Sequence, residues 1–212
     1  MSMSKVLIPT MAGLGAAGIG GGIYLANKGS ETKIEKETIQ AKLIKDKYTP
    51  LNSSDPQHQA HWQTSLGKYK EEYKNQTEYT EEKLKALCSG LFSKEDVNTS
   101  DYKVAKKYCV VPRKISERLK DIEFTALDTS GTQSEVTEKW KKLSAEYKKN
   151  GTGDKQLDSV TVSSVNDANG DALKNGCKAV LEKEHWDSKY DSLLENAKTW
   201  CTEEGFKKLP AQ

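Results

Sequence analysis

An order of residues that occurs twice constrains this chain more than any other feature. Trp62 and Tyr69 form W-x6-Y, as do Trp140 and Tyr147, and two cysteines follow each pair: Cys88 and Cys109, then Cys177 and Cys201. The surroundings match too. LKALC at 84–88 resembles LKNGC at 173–177, and VAKKYC at 104–109 resembles NAKTWC at 196–201. Self-similarity in a fixed order marks a tandem repeat. The body is therefore expected to hold two similar units, residues 51–130 and 131–212.

Within each unit the apolar spacing is helical. Asp55 and Pro56 suit an N-cap and first turn, and Trp62, Leu66, Tyr69 and Tyr73 then share a face. Thr80 caps a helix presenting Leu84, Leu87, Cys88 and Leu91. Ala105, Tyr108 and Cys109 share a third face, and Pro112 opens a shorter helix with Ile115, Leu119 and Ile122. In the second unit one stripe holds Val136, Trp140, Leu143 and Tyr147, and the next holds Leu173, Cys177, Val180 and Leu181. Tyr190, Leu194, Ala197 and Cys201 make the last. Residues 150–170 read as a loop in which SVTVSSV could pair briefly as a strand. Ahead of the units, residues 29–50 read as a charged helical stalk with Ile34, Ala41 and Tyr48 in heptad spacing.

The predicted fold class is all-α, with three helices per unit and cysteines on the second and third. Four cysteines allow three connectivities, and equivalence of the units favours Cys88–Cys109 with Cys177–Cys201. Only 35% of the residues are hydrophobic, so bridges worth about 2–4 kcal/mol each would support a thin core. Bridges would place the body in an oxidising compartment; the alternative is four buried thiols in a reducing one. Zinc is disfavoured, because there is no C-x-x-C and the cysteines fall one per helix face.

No charge occurs between Lys5 and Lys28, while charged residues make up 30% of the whole chain. A helix over 6–26 would reach about 31 Å at ~1.5 Å per residue, which matches a ~30 Å hydrocarbon core. Residues 1–28 are therefore expected to form an N-terminal transmembrane helix in the lipid bilayer. Gly18 and Gly22 offer a small-xxx-small face for close helix packing and homo-oligomer formation. A cleaved signal peptide, with Gly18 or Gly20 near the cleavage point, is the competing reading. Gly13, Gly15 and Gly18 also spell G-x-G-x-x-G, a dinucleotide-binding fingerprint. Pro9 stands where that fold needs a central strand, and Gly20, Gly21 and Gly22 weaken the helix it needs next. No cofactor is expected. Orientation draws opposite signals: Lys28, Lys33, Lys36, Lys42 and Lys45 after the span favour a cytoplasmic body, whereas paired cysteines favour an exterior one.

The body offers little reactive chemistry. Net charge is +2 with interleaved signs, and Arg113 and Arg118 are its only arginines, so nucleic acid is not an expected partner. His58 and His61 have metal-compatible spacing but no third ligand, and read as solvated. His185 beside Trp186 reads as a helix-boundary residue. Asp167, Asn169 and Asp171 imitate the start of a calcium loop, but Ala172 and Lys178 occupy its glycine and glutamate positions. Capping of a helix by Asn169 or Asp171 accounts for them. No nucleophile–base pair, carboxylate dyad or phosphate loop is found, and a non-enzymatic protein is expected.

The short N-terminus, the glycine- and alanine-rich VLIPTMAGLGAAGIGGGIYLA and the lysine-rich body with W-x6-Y and paired cysteines resemble one group. They are similar to the lineage-expanded families of paralogous membrane and surface proteins of hemotropic mycoplasmas. The resemblance implies a single-pass protein of the cell membrane with an extracellular body, displayed to host molecules or antibodies and open to antigenic variation. It brings no catalytic residues. The alternatives are an inward-facing helical scaffold with free thiols and, remotely, a dinucleotide-binding enzyme built on GLGAAG.

Overall fold

The computed structural model describes residues 37–210 apart from 76–77, 96, 98, 159 and 166–167. The span over 6–26, with Gly18 and Gly22, and the first part of the expected stalk lie outside the described residues. Among the described residues no helix is long and apolar enough to cross a membrane.

The described chain is all-α. Its helices are α1 (Ile39–Lys45), α2 (Gln59–Glu72), α3 (Glu81–Phe92), α4 (Ser100–Tyr108), α5 (Ile115–Asp121), α6 (Ser134–Asn150), α7 (Asp171–Leu181), α8 (Tyr190–Trp200) and α9 (Glu203–Lys207). Local signals account for several boundaries. The Asp55 carboxylate accepts the Gln57 N–H at a 3-10 turn begun by Pro56. The Thr80 hydroxyl accepts the Lys83 N–H at the start of α3. At α7 the cap is neither Asn169 nor Asp171 but Gly170, in the left-handed region at φ 76°. A Cβ there would lie 2.5 Å from the Trp140 carbonyl oxygen, so the crossing of α6 and α7 requires glycine. The described residues of SVTVSSV form no strand: 162–164 make a 3-10 turn.

Two separate cores form. Ile39, Leu43, Trp62, Leu84, Cys88 and Tyr108 are central to the first. Ile115, Leu119, Trp140, Leu143, Cys177 and Trp200 are central to the second. Each core is crossed by one disulfide, Cys88–Cys109 or Cys177–Cys201, both with Cα atoms 5.5 Å apart. The late position of Cys88 in α3 causes no difficulty, since Cys109 is the residue directly after α4.

Two described helices pack differently from what their spacing suggested. The first of them, α1, precedes Trp62. It runs only from Ile39 to Lys45, buries Ile39 and Leu43 in the first core, and leaves Ala41 exposed. The heptad of Ile34, Ala41 and Tyr48 selected the wrong face. Likewise α5, assigned from sequence to the first unit, completes the second core through Ile115 and Leu119.

Matched backbone contacts close the two cores. Ile39 N–H donates to the Lys94 carbonyl (2.8 Å), and Ile115 N–H to that of Lys183 (3.0 Å). Leu51 N–H donates to Cys109 O and Leu127 N–H to Cys201 O, at 2.8 and 2.9 Å. The indole N–H of Trp62 donates to Asn52 O, and that of Trp140 to Asp128 O. Helices α1 and α5 end alike, with Lys47 (φ 63°) and Glu123 (φ 67°) left-handed. The next N–H reaches back to Leu43 or Leu119, at 2.8 Å in both, which is a Schellman closure.

The central position of α1 predicts that Leu43→Ala lowers stability in urea unfolding by roughly 2–5 kcal/mol. Ala41→Ser should shift it by about 0.5 kcal/mol or less. Two near-zero effects would restore the stalk.

Candidate functional site

Two regions concentrate unusual side chains: the seam between the cores, and a groove on the first. The seam is built on Arg118. Its guanidinium is buried, donates to the carbonyls of Asp46 and Lys47 (2.6 Å for the latter), and lies 3.8 Å from the centre of the Tyr48 ring. Those carbonyls belong to the C-terminal end of α1, where backbone partial charge is negative and a cation is favoured. The Arg118 Nε–H is buried without a partner. Arg113, nearby in sequence, pairs within the second half instead, with its Nε 3.2 Å from Asp121 of α5.

His185 closes the other side. The ring is buried, and its Nε2 lies 3.0 Å from the Lys106 carbonyl oxygen on α4. A carbonyl can only accept, so Nε2 carries the proton. Trp186 and Tyr190 meet the imidazole edge to face. Trp186 packs against the first core, and the Tyr190 hydroxyl donates to the Arg113 carbonyl. Burial pushes the His185 pKa below its usual 6.5, against the opposing pull of the Lys106 and Lys107 carbonyls and Asp191. Lys106 itself pairs with Asp191 across the seam.

Other displaced acidities have structural causes. Burial, then the hydrogen bond to Asp46, pushes the Tyr102 hydroxyl far above its usual range. Burial and the bond to Glu72 do the same at Tyr108. Burial opposes ionisation of Asp46, yet hydrogen bonds from Lys42 and Tyr102 hold its carboxyl low. Both phenols are thus donors to carboxylates, an arrangement suited to fixing helices and not to accepting protons.

The groove on the first core occupies about 660 Å³. Helices α1 and α3 supply its walls, with Ile44, Ser89 and Phe92 among the lining residues, and Pro50 and Ser53 come from the loop between α1 and α2. Trp62 forms its floor with only 2% of its surface exposed. Ile44, at 56%, is the most exposed large hydrophobic residue described.

The sequence candidates distribute as follows. Cys88, Cys109, Cys177 and Cys201 are all bonded, and no cysteine is free. His58 and His61 have ring centres 6.2 Å apart. His58 is not simply solvated, since its Nδ1 accepts the Asn52 N–H at 2.8 Å and anchors the loop before α2. Asp167 lies outside the described residues, and Asp171 opens α7. Among the described residues no three His, Cys, Asp or Glu side chains gather as a metal site. The sequence named Arg118 and His185 but gave neither a place in this seam. The scarcity of arginine was the available signal for Arg118. Comparison with protein-family models, curated proteins and solved structures finds no match for this chain.

Two measurements test the seam. Arg118→Met should cost about 2–3 kcal/mol, because charge-assisted bonds to the α1 carbonyls are lost; chemical denaturation reports it. Burial lowers the His185 pKa in the folded protein below the ordinary 6.5 of the unfolded chain, so acid binds preferentially to the unfolded chain. Its contribution is complete above pH 6.5 and declines as pH falls below that value. His185→Gln should flatten this part of the stability–pH curve relative to the parent.

Proposed function

We propose that this chain is a membrane-anchored, non-enzymatic surface protein. Residues 6–26 hold it in the bilayer, and a body of two related, disulfide-stapled helical units faces the cell exterior to meet host molecules or antibodies. The observation that carries this reading is the pairing of every cysteine within a core. Bridges of this kind persist in oxidising compartments and are rare in the cytosol. The uncharged span supplies the anchor, and Gly18 with Gly22 supplies a face for pairing anchors within the membrane.

Duplication of an ancestral unit explains why Ile39, Leu51, Trp62, Cys88 and Cys109 make the contacts that Ile115, Leu127, Trp140, Cys177 and Cys201 repeat. In this reading each unit has four principal helices, α1–α4 and α5–α8. The first begins near residue 37 and the second near 113. The matched segments YTPLNSS at 48–54 and FTALDTS at 124–130 extend the repeat beyond the tryptophans.

Protease shaving of intact cells tests display directly: the body should be digested without permeabilisation. Denaturation without reductant should leave no alkylatable thiol, and reduction should release all four. Protection from the protease together with four reactive thiols would instead assign an inward-facing scaffold.

A further inference from the structure

The two cores provide an internal comparison, because one scaffold position can be examined in two copies. Around the groove over Trp62 the first core carries Thr38, Gln40, Ile44, Asn52, Ser89 and Ser93. The counterparts on α5, α7 and the loop after α5 are Lys114, Ser116, Lys120, Asp128, Lys178 and Glu182. A rim that is charged and solvated in one copy has lost its charges in the other, in a chain where 30% of residues are charged.

The charge that remains is neutralised. Lys85 pairs with Glu81 at 2.6 Å, and its ammonium lies 5.8 Å over the Trp62 ring. Its counterpart, Lys174, behaves differently: its ammonium crosses to the Gly131 carbonyl at 2.6 Å and fastens the loop on that side. Depletion of charge around an exposed apolar residue is the compositional mark of an interface centre.

We propose that this groove is the contact site of the displayed body, and that it takes an uncharged polypeptide segment of a partner protein. An aliphatic side chain of that segment sits against Ile44, Pro50 and Phe92. The Gln40 amide and the Ser53 and Ser89 hydroxyls face its backbone. Charge complementarity selects the partner's character, since a charged residue entering this rim would lose hydration and gain no counter-ion. A sugar ring is disfavoured: the floor tryptophan is almost wholly buried and presents no flat face for stacking. The site's role as a contact surface rests on the display reading, but its chemistry can be tested apart from it.

The experiment uses purified full-length protein in detergent and a capped tripeptide, N-acetyl-Ser-photoleucine-Ser-amide, as a photo-crosslinking probe. Adducts mapped by mass spectrometry should concentrate on Gln40, Ile44, Ser89 and Phe92, with few on Ser116, Lys120, Lys178 and Leu181. Excess N-acetyl-Ser-Leu-Ser-amide should suppress them, whereas the lysine peptide N-acetyl-Ser-Lys-Ser-amide and methyl glucoside should not. The double variant I44K/S89K, which installs the lysines of the second core at matching positions, should lower labelling by about tenfold with both disulfides intact. Equal labelling of the two faces, or equal competition by the lysine peptide or the glycoside, would each overturn the proposal. Competition on the parent protein needs no variant, so a poorly folding I44K/S89K leaves the test standing. Failure here with successful shaving of cells removes the groove and not the display.

Discussion

Shortage of apolar material is the constraint on which the rest of this structure depends. With about a third of its residues hydrophobic, the body cannot sustain one large core and forms two small ones, each closed by a cystine between the second helix of a pair and the residue ending the next. A cross-link over a loop of this size removes about 3 kcal/mol of unfolded-state freedom, a large fraction of the stability of a small domain. The tight placement of Cys88, Cys109, Cys177 and Cys201 inside the cores makes the bridges part of the packing. Buried tryptophans and tyrosines add large surfaces to the aliphatic residues of both cores, and several of their polar tips hold loops. The Tyr147 hydroxyl accepts the Leu157 N–H and donates to Val160 O, and Trp200 donates to Lys155 O. In this way the long segment after α6 is held with only two 3-10 turns of its own.

The seam solves a different problem. Two small cores could move independently, but a helix end with unsatisfied carbonyls and a buried cation each supply what the other lacks. Arg118 meets the end of α1 from below while Tyr48 covers it, and His185 reaches the end of α4 on the opposite edge. Both contacts join side chains of the second core to backbone carbonyls of the first. They therefore depend on the position of helix ends more than on the identity of neighbouring side chains.

Much of this was legible in the sequence where a residue type has one dominant use. The cysteine pairing followed from the repeated order, the Thr80 and Asp55 caps from their hydroxyl and carboxylate, and the helical stripes from spacing. The errors came from ambiguity of face. In α1 a heptad through Ala41 competed with the pair Ile39 and Leu43, and burial decided for the latter. Matching the segments around Thr49 and Thr125 would have set α1 beside α5, two helices that end in the same way. The groove was harder to read, because its neutral rim comes from α1, the following loop and α3, which are not adjacent in sequence. The absence of charge becomes visible only once those pieces are side by side.

Arg118 has a consequence for how such chains could diversify. Surface residues away from the seam touch nothing in the other half, whereas the guanidinium, its two carbonyl acceptors and the covering tyrosine form one interlocked set. Recombination between related genes that exchanged a single half would separate Arg118 from Tyr48 and the end of α1, leaving a cation sealed against a foreign surface. Viable exchanges would carry the two halves together, or cut where this set is left whole. Variation would then accumulate by substitution on the outer faces while the junction behaves as a linkage group.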